Sequence, residues 1–333
     1  MAPKTKILFV GERWCDAKPG TVLSNSSHNI LGSLDATGTT EVTSLFTDEV
    51  VASGGTVDLS LIALLTQQSR PDLIFITPTP AFPVINPTPN VLSFIADKWG
   101  TPIVAMYYDT AQNGHIAYAD TYGKTVDVNI ALDNYSIYAT DSKFPDKWMP
   151  LWTPQDLTLF HDEIRAKDRD IEVSFLGSVN FYDERRDFLA LLERTGVPVT
   201  IGGGQREHKW PVEKYAAMLR RSQISLNFSE VAGSNNHNHQ FKGRVLESML
   251  CGALVLEPDN RQTSKWFTPG VHYDTFGSSQ ELLSKIQFYR DHKEVRVAMA
   301  KRGCQRARTE FTAQAFWNTV FKRVGIGSTP PKD

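Results

Sequence analysis

Short apolar segments rich in β-branched residues alternate along this chain with longer amphipathic segments. They lack the polar alternation of a sheet with one solvated face, so they predict strands that are covered on both faces, as in a parallel sheet. In the first half, the predicted strands are residues 7–10, 42–46, 73–76, 103–106, 128–132 and 136–139. Residues 24–34, 59–67 and 91–98 are predicted helices, with Ser24 as an N-cap and Gly100 ending the third.

The same alternation restarts after a polar stretch at residues 161–170. The predicted strands of the second half are residues 173–176, 197–201, 224–228 and 253–256. The predicted helices are residues 183–194, 212–221, 242–251, 279–290, 294–309 and 313–324. Two such series indicate the α/β class, with two doubly wound, Rossmann-like parallel-sheet domains.

We expect an N-terminal domain over residues 1–155 and a C-terminal domain over residues 170–312. Residues 313–325 should form a helix that packs back toward the N-terminal domain. Ligands of such sheets bind at the carboxyl ends of the strands, and two such domains commonly face each other across a cleft.

Bulk composition excludes some classes of function. The net charge is −2, so no global basic field draws the chain to nucleic acid or to a membrane surface, although a local patch remains open. The three cysteines are far apart and lack metal or redox spacing, which favours a reducing compartment. We find no apolar run of about 20 residues and expect no signal peptide. The expected location is the cytoplasm.

One segment, Lys242-Gly-Arg-Val-Leu-Glu-Ser-Met-Leu-Cys-Gly-Ala-Leu-Val-Leu-Glu257, is typical of an anion site. Lys242 and Arg244 fall near a predicted helix N-terminus, where backbone N–H groups and the macrodipole favour negative charge. Glu247 lies three residues after Arg244, on the same helical face. Phosphate-binding cations beside a carboxylate for sugar hydroxyls would suit a nucleotide-sugar enzyme. The structural alternative is a solvated Arg–Glu pair on an amphipathic helix.

An ordered set of motifs in the second half resembles a known family. The set contains Val173-Ser-Phe-Leu-Gly-Ser178 with Arg185-Arg186, Gly196-Val-Pro-Val, Ile224-Ser-Leu-Asn-Phe-Ser229, Lys242-Gly-Arg-Val-Leu-Glu, Phe267-Thr-Pro-Gly270 and Glu281-Leu-Leu-Ser-Lys-Ile286. Together they resemble the group-1-like glycosyltransferase domain of the spore-maturation (CgeB-type) family. The resemblance covers residues 173–316 and implies the GT-B fold. It also implies a nucleotide-diphosphate-sugar donor held mostly by the second domain, an acceptor held mostly by the first, and no bound metal or other cofactor.

The resemblance also implies roles for individual residues. Gly177 and Ser178 would form the turn that approaches the donor diphosphate, and Arg185 would contact phosphate. Lys242 and Arg244 match the basic positions of the family loop, and Glu247 matches the carboxylate that holds donor ribose hydroxyls. For each position, the structural alternative is an ordinary turn or a surface charge.

The chain departs from the family pattern at His239. Many retaining transferases of this fold have a glutamate at this position to hold the donor sugar, so the retaining mechanism cannot be carried over. His239 and its polar loop are candidates for the same role. The spacing of His237 and His239 also suggests a metal site, but we see no third ligand nearby and predict none.

Candidate acceptor-side residues follow two strands of the first domain. Glu12 and Arg13 follow the first strand, and Tyr108 and Asp109 follow the fourth, where related transferases often have a His-Asp pair. Asp109 is the best candidate for the general base, or for a group that orients the donor sugar. The structural alternative for Asp109 is an N-cap or turn carboxylate.

These observations predict a metal-independent, cytoplasmic glycosyltransferase of the hexosyl- or pentosyltransferase class. Asp109, Lys242 and Arg244 are its candidate catalytic residues. A non-catalytic nucleotide-sugar-binding or structural protein on the same fold is the alternative. A nicotinamide-dependent oxidoreductase is disfavoured, because no G-x-G-x-x-G turn follows the first strand. The acceptor is open among a glycan, a protein, a small molecule and a modified nucleobase.

Overall fold

The structure is a computed structural model, and it describes residues 3–68, 70–132, 138, 140–179, 183–204, 209–231 and 239–327. The chain divides into two compact units. Unit 1 comprises Met1–Asp156 and Ala313–Asp333, and unit 2 comprises Leu157–Thr312.

Unit 1 is built on a six-stranded, wholly parallel sheet. Its strands are β1 (Thr5–Gly11), β2 (Thr40–Phe46), β3 (Leu73–Ile76), β4 (Ile103–Tyr107), β5 (Val128–Ala131) and β6 (Trp148–Pro150). Its first helices are α1 (Asn25–Thr37), α2 (Thr47–Ala52), α3 (Val57–Gln67), α4 (Pro89–Trp99) and α5 (His115–Asp120). The strand order is β2-β1-β3-β4-β5-β6.

Local signals set the helix ends of unit 1. The Ser24 hydroxyl accepts a hydrogen bond from the Ser27 backbone N–H at the start of α1, as predicted for an N-cap. Gly100 ends α4 in the left-handed conformation, with φ of 57°, which confirms the second prediction. Both faces of β3 and β4 are buried, as expected for central strands of a parallel sheet.

Unit 2 has a five-stranded parallel sheet. Its strands are β7 (Ile171–Gly177), β8 (Val199–Gly203), β9 (Ser222–Leu226), β10 (Leu254–Pro258) and β11 (Asp274–Phe276). Its helices are α6 (Asp183–Arg194), α7 (Val212–Arg221), α8 (Gly243–Leu250), α9 (Arg261–Ser264), α10 (Ser279–Asp291) and α11 (Lys293–Glu310). Short 3₁₀ helices occupy Cys15–Ala17, Pro83–Ile85, Pro145–Lys147 and Ala166–Asp168 across the two units.

The strand order of unit 2 is β11-β10-β9-β7-β8. The direction of winding therefore reverses between β7 and β9, the first and third strands of the unit. In doubly wound sheets, ligands bind at such switch points, beyond the carboxyl ends of the strands. The strand order therefore predicts a ligand site at the loops after β7 and β9.

The last helix, α12 (Ala313–Arg323), belongs to unit 1. Trp317 is fully buried, and its indole N–H donates a 3.0 Å hydrogen bond to the Ser33 hydroxyl on α1. Its ring also lies edge-to-face with Phe75 of β3, at a centroid distance of 5.0 Å. The apolar side chains at helical spacing along α12 thus form a packing face. In the part of the chain that the structure describes, no helix is both long and apolar enough to cross a membrane.

The two predicted parallel-sheet domains are confirmed, with one wrong strand. The strand predicted at residues 136–139 is contradicted at Tyr138, which is helical, and its other residues lie outside the described part. The sixth strand of unit 1 is instead β6, three residues long and too short to show a periodicity. The hydroxyl of Tyr138 pairs with that of Thr110 at 3.0 Å.

Candidate functional site

Two loops leave the sheet of unit 2 side by side at its switch point. β7 ends at Gly177, and Asn227 directly follows β9. The two loops lie side by side because β7 and β9 are paired neighbours in the sheet. The helix α8 starts next to them, with Lys242 as its N-cap residue in an extended conformation. The N-terminus of α8 therefore presents its partial positive charge at the carboxyl edge of the sheet.

Arg244 lies against the end of β7. A β-carbon on Gly177 would collide with Nη2 of Arg244, so only glycine allows this approach. The Nη1 atom of Arg244 donates to Oδ1 of Asn227 at 3.1 Å, and its Cζ lies 5.1 Å from the centroid of the Phe175 ring. Two contacts from β7 and one from the residue after β9 thus fix the direction of this half-buried guanidinium.

Gly177, the last residue of β7, and the following Ser178 pack closely against the end of β8. A β-carbon on Gly204 would collide with the backbone of Gly177 and Ser178. Gly204, the last of three consecutive glycines at residues 202–204, therefore permits a close backbone approach.

Arg185 is buried, whereas the other candidate cations, Lys242 and Arg244, are only partly buried. It is 4% exposed, and its guanidinium donates to the backbone carbonyls of Ser178 and Phe228. Its Cζ also lies 5.2 Å from the centroid of the Phe175 ring. Arg185 thereby ties the loop after β7 to the loop after β9, a role that the sequence did not predict.

Glu247 is buried one helical turn after Arg244. It is 7% exposed, and its Oε2 accepts a 2.6 Å hydrogen bond from the hydroxyl of Tyr215 on α7. Burial raises the pKa of Glu247, while the Tyr215 hydrogen bond and the charge of Arg244 oppose this rise. Burial and the nearby carboxylate also raise the pKa of Tyr215 well above its usual value. The arrangement holds a carboxylate within one turn of a fixed cation.

His239 lies at the base of the polar loop. Its Nδ1 pairs with the Ser229 hydroxyl at 2.9 Å, and its backbone forms an antiparallel bridge with Glu230. His239 therefore stands beside the strand end that carries Asn227. His237, the other half of the considered metal pair, lies outside the described residues. Among the residues that the structure describes, no group of three or more His, Cys, Asp or Glu side chains could hold a metal ion.

In unit 1, the loop after β1 is held by two acidic residues of α2. The carboxylate of buried Asp48 accepts hydrogen bonds from the backbone N–H groups of Arg13 and Trp14, at 3.0 and 2.8 Å. The side chain of Arg13 forms a 3.2 Å ion pair with Glu49. Arg13 is thus paired with a carboxylate of its own unit, at a partly exposed position. Glu12 is partly buried in the same loop.

Tyr108 and Asp109 follow β4 and are both partly buried. The carbonyl of Asp109 accepts the Gln112 N–H at 3.1 Å, so Asp109 begins a turn, which agrees with its structural alternative. The two candidates lie at the carboxyl edge of the unit 1 sheet, as does the loop of Glu12 and Arg13.

Three buried polar residues of the unit 2 site had no place in the sequence prediction. Oε1 of Glu257, at the end of β10, accepts the side-chain amides of Asn227 and Asn260 at 2.9 and 2.8 Å. Asn227 and Glu257 are 0% exposed, and Asn260 is 1% exposed. The sequence held a signal for two of the three: Asn227 and Glu257 each directly follow a short apolar strand segment, and the structure makes the two strands neighbours.

Residues 185–322 match the model of a family described as glycosyl transferase-like, which covers less than half of the chain. No curated protein sequence matches the chain.

Solved structures match nearly the whole chain. Anabaena HepE in complex with UDP and glucose has a TM-score of 0.63 at 13% identity, over 96% of this chain and 99% of that chain. Sucrose-phosphate synthase from Thermosynechococcus elongatus has a TM-score of 0.63 at 11% identity, over 98% and 100%. An alpha-glucosyltransferase in complex with UDP-glucose and DNA containing an abasic site has a TM-score of 0.63 at 10% identity, over 96% and 100%.

The chain has the GT-B fold. This confirms the fold class predicted from the alternating strands and helices. The family match and the fold together support sugar transfer as the activity. The matched family is broader than the CgeB-type family, which stays a prediction.

Proposed function

We propose that this protein transfers a sugar from a nucleotide-diphosphate sugar to a hydroxyl acceptor, with the donor diphosphate bound at the N-terminus of α8. The observation that carries the proposal is the fixed guanidinium of Arg244 against Gly177, with buried Glu247 one turn further on. Arg244 and Lys242 would neutralise the diphosphate, and the helix N-terminus would add its partial charge. Glu247 would accept hydrogen bonds from donor ribose hydroxyls.

The chemistry requires charge stabilisation at the leaving group. When the glycosidic bond to phosphate breaks, negative charge builds up on the departing nucleoside diphosphate. A preorganised cation at that position lowers the barrier, because it needs no reorganisation during the reaction. The contacts of Arg244 with Asn227, Gly177 and Phe175 supply such preorganisation.

On the acceptor side, we propose Asp109 as the group that takes the proton from the acceptor hydroxyl. General bases contribute about 10² to 10⁴ in rate. Asp109→Asn should therefore lower transfer by about 100-fold while the affinity for the donor stays unchanged. Equal transfer rates would remove Asp109 from the mechanism. Glu12, Arg13 and Tyr108 are proposed only as acceptor-side contacts.

The donor type is supported by the neighbours. The Anabaena protein was solved with UDP, with UDP and glucose, and with UDP-glucose. We therefore expect UDP-sugars to be the first donors to test. The acceptor panel should hold sugars and sugar phosphates, and also DNA with a hydroxymethylated base, because an alpha-glucosyltransferase of this fold was solved with such DNA.

Two finer proposals concern lineage and location. The motif series of unit 2 supports a CgeB-type relationship. The three cysteines are all free thiols, two of them buried, which suits a reducing compartment such as the cytoplasm.

The deciding experiment is a screen of nucleotide sugars for slow donor hydrolysis, which reveals the donor without knowledge of the acceptor. Release of the nucleoside diphosphate is measured for wild type, Arg244→Ala and the control Arg302→Ala. Arg302 is an exposed arginine of α11 that donates to the Val271 carbonyl. We expect more than a tenfold loss in the first variant and none in the second. Equal rates in all three would refute the assignment.

The alternative is a non-catalytic nucleotide-sugar-binding protein, favoured by His239 at the position where related retaining enzymes have a glutamate. Binding of a nucleotide sugar by calorimetry, without transfer or hydrolysis of any donor, would select this alternative.

A further inference from the structure

A buried chain of hydrogen bonds runs from the candidate diphosphate site into the core of unit 2. Nη1 of Arg244 donates to Oδ1 of Asn227 at 3.1 Å. Nδ2 of the same amide donates to Oε1 of Glu257 at 2.9 Å. The amide oxygen of Asn227 thus contacts the cation, and the amide nitrogen contacts the carboxyl group.

The carboxyl group of Glu257 is anchored from several directions. Nδ2 of Asn260 donates to the same Oε1 at 2.8 Å and also contacts the Gln240 carbonyl at 3.1 Å. Burial raises the pKa of Glu257, and the hydroxyls of Thr263 and Ser229 partly oppose this rise. Ser229 in turn pairs with His239 at 2.9 Å. Glu257 therefore connects two segments: it contacts Asn227 after β9 directly, and it contacts the segment that precedes α8 through Asn260.

An amide between the cation and the carboxyl group has an electrostatic consequence. If Glu257 contacted Arg244 directly, the two charges would pair, and Arg244 would attract a phosphate less strongly. The amide oxygen fixes the direction of the guanidinium but carries no net charge. Asn227 thus orients Arg244 without adding an opposing charge.

We propose that Asn227 and Glu257 are positioning residues: Glu257 fixes the orientation of Asn227, which aims Arg244 at the donor diphosphate and keeps its charge available. This inference rests on the proposed function and adds two residues to the donor site. Both act through Arg244.

The test compares Asn227→Asp with wild type in calorimetric titrations with UDP, GDP and ADP and their monophosphates. The substitution conserves shape and places a carboxylate 3.1 Å from the Arg244 Nη1 position. We expect the Kd of the preferred diphosphate to rise at least tenfold and that of its monophosphate to rise less. A general structural defect would weaken both ligands equally. Asn129→Asp, at an asparagine of unit 1 that is 1% exposed, serves as the control for burying a carboxylate away from the site.

A second pair of variants keeps the test valid if Asn227→Asp folds poorly. Glu257→Ala should raise the KM for the donor, because Asn227 loses its anchor. Glu257→Gln should restore most of the lost affinity, because its amide oxygen can still accept from Asn227 and Asn260. Far-ultraviolet circular dichroism and the Tm verify folding.

The outcomes separate the two proposals. If wild type binds no nucleoside diphosphate, the proposed function fails and this inference fails with it. If wild type binds one and folded Asn227→Asp binds it within twofold, the inference is overturned alone. An equal loss in Glu257→Ala and Glu257→Gln would also contradict it.

Discussion

Gly177 and Arg244 are in close contact at the end of β7. The guanidinium fills the space that a methyl group on residue 177 would need, and the hydrogen of glycine leaves that space open. The family resemblance implied that Gly177 forms, with Ser178, a turn that approaches the donor diphosphate. The φ of Gly177 is not positive, so its backbone conformation does not require glycine. Its small size is what matters, because it lets the cation reach the carboxyl edge of the sheet.

Gly177→Ala should therefore impair the donor site without unfolding unit 2. The added methyl group must displace the end of the Arg244 side chain, which is flexible enough to move. We expect donor hydrolysis to fall about tenfold or more, with a nearly unchanged Tm. Gly277→Ala is the matched control, because its methyl group would meet only Glu281 at 3.5 Å. Full activity in Gly177→Ala would contradict the proposed position of Arg244.

Tyr215→Phe should weaken donor binding and shift its pH dependence. The Tyr215 hydrogen bond lowers the pKa of Glu247, so its removal raises that pKa. If the ionised carboxylate binds the donor, the acid limb of the profile of 1/KM against pH must move to higher pH. Hydrogen bonds to charged groups contribute about 1.5–3 kcal/mol, so we expect about a tenfold increase in KM at neutral pH. An unmoved acid limb would exclude Glu247 as a donor ligand.

Glu257 should make the stability of the protein depend on pH. Burial raises the pKa of Glu257 from 4.5 to about 7. The folded protein keeps this proton at pH values where the unfolded chain has lost it. The contribution of Glu257 to stability is therefore present below pH 4.5 and is lost as the pH rises to about 7, by at most about 3 kcal/mol at 1.36 kcal/mol per unit.

Urea unfolding of Glu257→Gln at several pH values tests this expectation. The variant cannot ionise, so its free energy of unfolding should fall less than that of wild type between pH 5 and pH 8. Parallel curves for the two proteins would mean that Glu257 does not titrate in this range.

Removal of divalent metal should leave donor hydrolysis unchanged. Lys242, Arg244 and the N-terminus of α8 are proposed to supply the positive charge that a metal ion would otherwise bring to the diphosphate. We expect equal rates with EDTA and with added Mg²⁺ or Mn²⁺, measured on the donor found in the screen. A loss of rate in EDTA that Mn²⁺ restores would show that a metal takes part.

Much of the fold could be predicted because its signals are local. Apolar β-branched segments marked the central strands β1, β3 and β4, and Ser24 and Gly100 marked helix ends. The two short edge strands β6 and β11 had no such signal, because three residues cannot show a periodicity. Tyr138 was misassigned for a related reason, since an aromatic residue in a short apolar segment suits a buried helix as well as a strand.

The sequence by itself determined the two α/β series and the order of basic loop, helix and strand that places Lys242 near a helix start and Arg244 and Glu247 on one helix face, because residues three apart are neighbours on any helix surface. Only the tertiary structure decided that Arg244 meets Gly177, that Arg185 ties two loops, and that Asn227 joins Arg244 to Glu257. These contacts depend on which strands are neighbours in the sheet, and strand order is set by packing between distant segments. Local propensity does not encode it.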